Sequence, residues 1–152
     1  MPSFTKGNTL YAPFGKNQWL RSTQDVKLDS YTLAAASVPN ETINGVTQKM
    51  LQPGEAIAKI TSGGDIGKVG PYSNDTVGVT DGRSTLANLV GINNTWLPWQ
   101  AMEHDCEIAV AYQAQGVQAW CFERNAAGAR VALANATADA MRGTKKMQLN
   151  FN

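Results

Sequence analysis

The run Glu103-His104-Asp105-Cys106-Glu107 is the densest group of side chains that could carry chemistry. A thiol beside an imidazole can serve as the nucleophile and base of a cysteine hydrolase. In an extended strand neighbouring side chains point to opposite faces, so His104 shares a side with Cys106 and not with Asp105. Two ligands are too few for a zinc site, and His104 is the only histidine of the chain. We interpret the run as a solvated strand entrance, with a Cys106–His104 dyad as the alternative.

A second motif, Gly63-x-x-x-Gly67-Lys68, is similar to a phosphate-binding loop. Its spacer is one residue short, and Val69 stands where that loop carries a Mg²⁺-binding hydroxyl. The motif therefore predicts an ordinary hairpin turn.

The segment Thr95-Trp96-Leu97-Pro98-Trp99 combines two tryptophans and a leucine with a stiffening proline. Three interpretations are open: a lid over one end of the core, a contact between copies of the chain, or a site where Trp96 and Trp99 stack on a small molecule or glycan. Tryptophan is enriched at binding hot spots, which makes Trp96, Pro98 and Trp99 our candidates for subunit contact.

Short strands separated by Gly/Pro turns are predicted to position these groups. The predicted strands before residue 100 cover residues 56–61, 68–72 and 86–92, and the chain reads as strand-like from Tyr31. Turns are predicted at residues 52–55, 62–65 and 80–83, each of which contains glycine.

Residues 107–122 alternate in polarity on both sides of a polar segment at residues 113–116, which predicts a β-hairpin. The two limbs of that hairpin would bring Cys106 and Cys121 into contact range. Either a disulfide or two thiols packed as small apolar groups is then possible, and a chain made in the cytosol favours the thiols.

The C-terminal part predicts one helix and a closing strand. Asn125 is a suitable cap for a helix from Ala126 to about Met141, in which eight of sixteen residues are alanine. The segment at residues 145–151 places Met147, Leu149 and Phe151 on one face, as in a half-buried strand.

Residues 1–27 differ from the rest because their large apolar side chains follow no period. We interpret them as an arm, which either lies on its own domain or reaches another chain and adds main-chain hydrogen bonds at a sheet edge. The large apolar residues of this arm are Phe4, Leu10, Tyr11, Phe14, Trp19 and Leu20.

The composition of the chain limits the classes of partner that it is expected to bind. The 152 residues suit one domain, and 13 Lys+Arg against 12 Asp+Glu give a net charge of +1, which does not favour nucleic acid. No run approaches 18 apolar residues, so the sequence predicts no membrane partner. The opening MPSFTKGNTLYAPFG lacks the basic and apolar regions of a signal peptide, and we expect synthesis in the cytoplasm.

The order of four short motifs resembles the lambda-type bacteriophage head decoration, or capsid cement, proteins. These motifs are LQPGEAIAKI at residues 51–60, GKVGPY at 67–72, TDGR at 80–83 and LVGI at 89–92. The resemblance covers residues 28–151. The chain departs from that family in the insertion around Trp96–Trp99 and in its longer predicted helix.

The resemblance implies a small mixed, β-rich α+β domain at residues 28–152, partly barrel-like, with one C-terminal helix, a closing strand and the extended arm of residues 1–27. It implies a structural virion protein without catalysis or cofactor, which binds the major capsid protein on the outer surface of the capsid as a homotrimer. By this resemblance, the residues that contact the capsid are those of the arm, namely Phe4, Leu10, Tyr11, Phe14, Trp19 and Leu20. Subunit contact falls to Trp96, Pro98 and Trp99.

Overall fold

The computed structural model describes residues 19–43, 45–142 and 147–151. These residues form a β-rich domain with one α-helix and a closing strand, as predicted. The strands are β1 (Leu20–Leu33), β2 (Asn40–Ile43), β3 (Val46–Lys49), β4 (Ala56–Lys59), β5 (Val69–Pro71), β6 (Leu89–Asn93), β7 (Cys106–Gly116), β8 (Phe122–Arg124), β9 (Arg130–Ala132) and β10 (Gln148–Phe151). The helix is α1 (Asn135–Met141), and 3₁₀ turns lie at Ala35–Ser37, Leu86–Asn88, Trp99–Met102 and Gln118–Trp120.

The main sheet is partly ring-like, which confirms the partly barrel-like prediction. β1, β5, β4, β6 and β7 pair in that order, and β7 pairs back with β1 in antiparallel orientation. β10 pairs in parallel with residues 113–116 of β7, beyond the two residues of β7 that pair with β6, so one edge of β7 is shared by two strands. The hairpins β2–β3 and β8–β9 form separate two-stranded sheets.

The core consists of two apolar clusters on opposite faces of β4. Ile57 packs in one cluster, and its neighbours Ala56 and Ala58 pack in the other. The cluster that contains Ala56 and Ala58 is covered by α1, through Ala138 and Met141, and by β10. Because β4 is buried on both faces, its sequence shows no clear alternation of apolar and polar residues.

The prediction of a β-hairpin at residues 107–122 is wrong. β7 continues as one strand through residues 113–116, since β1 pairs along one of its edges and β10 along the other. The chain turns only at Gln118–Trp120, and the following strand β8 pairs with β9. The polar residues that indicated a turn therefore lie within a strand whose partners are distant in the sequence.

The predicted helix begins nine residues later than expected, at Asn135 instead of Ala126, and ends at Met141 as predicted. Asn125 does not cap a helix; its Oδ1 accepts from the backbone N–H groups of Ala127 and Ala129 at 3.0 Å each and closes the turn of the β8–β9 hairpin. Strand pairing thus outweighs the helix propensity of the alanines.

The beginning of α1 is held by a buried carboxylate from the hairpin. Glu123 Oε1 accepts from the backbone N–H of Ala134 and from Thr137 Oγ1, both at 2.9 Å. A carboxylate at the first turn satisfies a free N–H group of the helix, which explains why the helix starts here.

The structure also corrects the boundary of the predicted arm, because residues 20–27 belong to β1. Trp19 is only 1% exposed, packs in the α1-covered cluster and donates its Nε1–H to Asn94 Oδ1 at 3.3 Å. Leu20 packs against the same cluster. Both side chains are thus engaged by the core of their own chain, as in the alternative of a segment that lies on its own domain, and not by another chain. The predicted arm residues Phe4, Leu10, Tyr11 and Phe14 lie outside the described residues.

In the described ranges, no helix is long and apolar enough to cross a membrane.

Candidate functional site

The loop with two tryptophans is anchored to the core at its centre and exposed at its end. Leu97 and Leu51 exchange backbone hydrogen bonds, with N···O distances of 2.8 and 3.0 Å. Trp96 and Pro98 are half-buried, whereas Trp99 begins a 3₁₀ turn and is 45% exposed. The anchor fixes the backbone on which Trp99 is presented to solvent.

Trp99 lies in a groove of about 670 Å³ beside the hairpin β2–β3, which we call the Trp99 groove. Val46, at the tip of the hairpin, is 56% exposed and adds a second apolar side chain to it. Lys49, also in the groove, donates from Nζ to Ala35 O at 2.9 Å and ties the hairpin to the ring. The groove is lined by Asn40, Val46, Gln48, Trp99, Met102 and Glu103, together with Thr47 and Lys49.

The two tryptophans do not share this groove, because Trp96 is not among its lining residues. Of the two tryptophans predicted to stack on one ligand, only Trp99 could therefore contact a ligand in this groove. Sequence reasoning missed Val46 and the hairpin, since these residues lie about fifty positions before Trp99 and carry no local signal.

A buried group of charged side chains, which we call the charge cluster, holds the hairpin in position. Arg124 and Glu55 are 2% and 0% exposed, and Arg124 Nε donates to Glu55 Oε1 at 2.5 Å. Glu41 on β2 lies 3.2 Å from Arg124 Nη1 and 2.6 Å from Arg130 Nη2. The cluster therefore links the hairpin β2–β3, the start of β4 and the hairpin β8–β9.

Opposite charges and backbone carbonyls surround the cluster, although the buried atoms Glu41 Oε1 and Arg130 Nε make no hydrogen bond to another described residue. Burial raises the pKa of Glu55, while the charge and hydrogen bonds of Arg124 act in the opposite direction. Arg124 Nη1 also donates to Gly128 O at 2.9 Å, and Nη2 donates to Met50 O at 3.1 Å. Two carboxylates face two guanidinium groups away from water, an arrangement suited to fixing structure and not to proton transfer with a substrate.

The run Glu103–Glu107 is the solvated strand entrance that the sequence predicted. β7 begins at Cys106, and His104 and Asp105 are exposed. Asp105 accepts from Lys68 Nζ at 2.6 Å and from the backbone N–H of Ala35 at 2.9 Å. The hydrogen bond from Lys68, and then that from Ala35, lower the pKa of Asp105. The bonds of Lys68 to Asp105 and then to Asp65 raise the pKa of Lys68 to about 12.

The lysine of the motif that is similar to a phosphate-binding loop is thus engaged by carboxylates. Lys68 Nζ also donates to Asp65 Oδ1 at 2.7 Å, within the turn between β4 and β5. Gly63 and Gly67 have φ values of +90° and +89°, as the turn requires. The prediction of an ordinary hairpin turn is confirmed.

The two cysteines are free thiols and pack in different apolar clusters. Burial, and secondarily the charge of Asp105, raise the pKa of Cys106. Burial raises the pKa of Cys121 to about 12. Because the thiolate is the reactive form, both shifts act against a nucleophile. In the part of the chain that the structure describes, no group of three His, Cys, Asp or Glu side chains could hold a metal ion.

Thiol labelling should reflect these environments. At pH 8 we expect Cys106 to react with a disulfide reagent more slowly than a free cysteine, and Cys121 to react only on unfolding, because both thiols are held protonated. The time course of absorbance on labelling measures this, with Cys106→Ser and Cys121→Ser variants to assign the phases. A Cys106 that reacts faster than free cysteine, and slows in His104→Ala, would instead support the hydrolase dyad.

Searches against protein-family models, curated proteins and solved structures find no match for this chain. Of the described surface, the Trp99 groove combines exposed apolar side chains with an anchored backbone. Such a surface is suited to binding another molecule.

Proposed function

We propose that this protein is a structural virion protein that decorates the outer surface of a tailed-phage capsid, binds the assembled major capsid protein as a homotrimer and stabilises the shell without catalysis. The observation that carries the proposal is that Trp99 and Val46 are both exposed and line the same groove. The order of motifs between residues 51 and 92 supports it independently.

The Trp99 groove is the surface that we assign to contact between copies. A tryptophan that is half exposed in one chain and held on a fixed backbone loses little conformational freedom on association and buries a large apolar area. Trp96 and Pro98, which precede Trp99 in the same loop, remain our other candidates for this contact. The residues of the predicted arm before Trp19 remain our candidates for capsid contact.

Stabilisation of the shell would follow from mass action. A protein that binds the assembled capsid and not its dissociated subunits lowers the free energy of the assembled state alone. The net charge of +1 suits dense packing on a shell, since strongly like-charged copies would repel one another.

Binding to assembled heads tests the proposal. The full chain should co-sediment with purified heads of the phage that encodes it and not with unassembled capsid protein, and removal of residues 1–15 should abolish this binding. Trp99→Ala should weaken assembly into trimers about 30-fold or more, as for a hot-spot residue of about 2 kcal/mol. Trp120→Ala is the matched control, because Trp120 is 54% exposed but lies outside the groove.

Two results would contradict this proposal. One is equal binding to assembled and unassembled capsid protein, which would remove the basis for stabilisation. The other is a Trp99→Ala variant that behaves like Trp120→Ala in both sedimentation and oligomeric state, which would remove the role of the groove.

A second candidate function is that of a small-molecule or glycan-binding domain, as predicted for Trp96 and Trp99. The presence of Asn40, Gln48 and Glu103 around the Trp99 ring favours it, since these side chains supply donors and acceptors beside an aromatic face. Titration of tryptophan fluorescence with sugars, compared between the natural chain and Trp99→Ala, separates this function from decoration.

A further inference from the structure

A second concavity lies at the end of the ring where β4 ends and β6 begins. Ala58 on β4 pairs with Leu89 on β6, and Leu28 on β1 pairs with Ala111 on β7, so four strands bring neighbouring side chains to this end. The cavity has a volume of about 500 Å³, within the range of small-molecule sites. We call it the barrel-mouth pocket; its lining includes Asp29, Tyr31, Lys59, Asn88, Leu89 and Tyr112.

Four polar side chains of this pocket are not used by the fold, and two of them, Asp29 and Lys59, are exposed to solvent. Tyr31 and Tyr112 are half-buried, yet their hydroxyls make no hydrogen bond to another described residue, and Asp29 and Lys59 form no ion pair within the described ranges. Asp29 and Tyr31 lie two residues apart on β1 and line the same pocket; burial first, and then the charge of Asp29, raise the pKa of Tyr31. By contrast, the Asn88 side chain is fixed by donation to Gly82 O at 2.9 Å.

These groups together match a ligand with hydroxyl groups and no net charge. Lys59 only donates, ionised Asp29 only accepts, and each phenol does both, so the set can satisfy hydroxyls that are donors and acceptors at once. The half-buried tyrosine rings offer apolar area to the C–H face of a sugar ring. One positive and one negative side chain favour neither a phosphate nor an organic cation.

We propose that the barrel-mouth pocket is a binding site for a neutral sugar, separate from the Trp99 groove and independent of the capsid role.

Amide chemical shifts of the ¹⁵N-labelled full chain test the site directly. The probes are glucose, galactose, mannose and N-acetylglucosamine, each raised to about 50 mM, which would largely fill a site with a Kd near 1 mM. At least one of these sugars should shift the amides of Tyr31, Asn88, Leu89 and Tyr112 in a saturable manner. Glucose 6-phosphate serves as the charged comparison and should bind more weakly than glucose.

Conservative variants then separate the chemistry from the fold. Tyr31→Phe and Tyr112→Phe each keep the ring, and each should raise the Kd about 2- to 10-fold through the loss of one hydroxyl. Trp99→Ala should leave the Kd unchanged. The proposal is overturned if no neutral sugar shifts these amides, if the shifts lie in the Trp99 groove and vanish in Trp99→Ala, or if only the phosphorylated sugar binds and Lys59→Gln abolishes it.

Discussion

The variant Arg124→Met is expected to lower the free energy of unfolding by about 3–5 kcal/mol, the usual cost of removing one partner of a buried ion pair. Arg124 is 2% exposed and contacts both Glu55 and Glu41. Methionine fills much of the space but leaves Glu55, which is 0% exposed, without its nearest positive charge. Urea unfolding followed by tryptophan fluorescence measures the change.

The pH dependence of this cost has a definite sign. Burial already raises the pKa of Glu55, and Arg124→Met removes the charge that opposes the rise. A carboxyl whose folded-state pKa is raised favours the fold below its unfolded pKa and loses that contribution as the pH rises through the folded pKa. The variant should therefore be closest to the natural chain in acid and should fall furthest below it at neutral pH.

Asp139→Asn is the matched control for the charge cluster. It breaks the ion pair between Asp139 and Arg142, in which the carboxylate side chain is 64% exposed. An exposed pair contributes at most about 1 kcal/mol, so the control should unfold close to the natural chain. If Arg124→Met were as mild as Asp139→Asn, the charge cluster would not have the structural role assigned to it.

Gly91→Ala is expected to cost about 3 kcal/mol or more, or to prevent folding, because two penalties coincide. Gly91 has a φ of +146°, which residues with a side chain rarely adopt. A Cβ atom there would lie 2.1 Å from the backbone oxygen of Ala111 on β7, which cannot move without disturbing the sheet. Circular dichroism and urea unfolding of the purified variant report the loss.

Gly63→Ala separates the two penalties. Gly63 has a φ of +90°, but a Cβ atom at this position would meet nothing within 4 Å. The control therefore carries only the backbone cost, about 1–2 kcal/mol. Equal losses in the two variants would show that β6 and β7 do not approach as closely at Gly91 as described.

These variants also bear on the proposed function. Glu41 of the charge cluster lies on β2, and the hairpin β2–β3 lines the Trp99 groove. A folded variant with a weakened cluster would therefore hold this hairpin, and Val46 on it, less firmly. The sequence singled out Trp99, but it did not indicate the residues that share its groove. Five of those residues come from the hairpin β2–β3, whose own short sequence has no distinctive pattern.

The sequence predicted well where the relevant partners are neighbours along the chain. The turn at Pro53-Gly54 needs one residue with positive φ, and Gly54 has +100°. The alternation of Met147, Leu149 and Phe151 predicted the closing strand. Leu149 and Phe151 are the buried side chains of β10, and Met147, just before this strand, is buried as well. The β-rich class followed from such local signals.

The amino-acid sequence by itself determined the β-rich class, several turns and the closing strand, because each depends on residues a few positions apart. Only the tertiary structure decided that residues 113–116 continue a strand, that Trp19 is a core residue and that Glu55 meets Arg124 across 69 positions. Strand pairing and burial depend on which distant segments come together, and no local window contains that information.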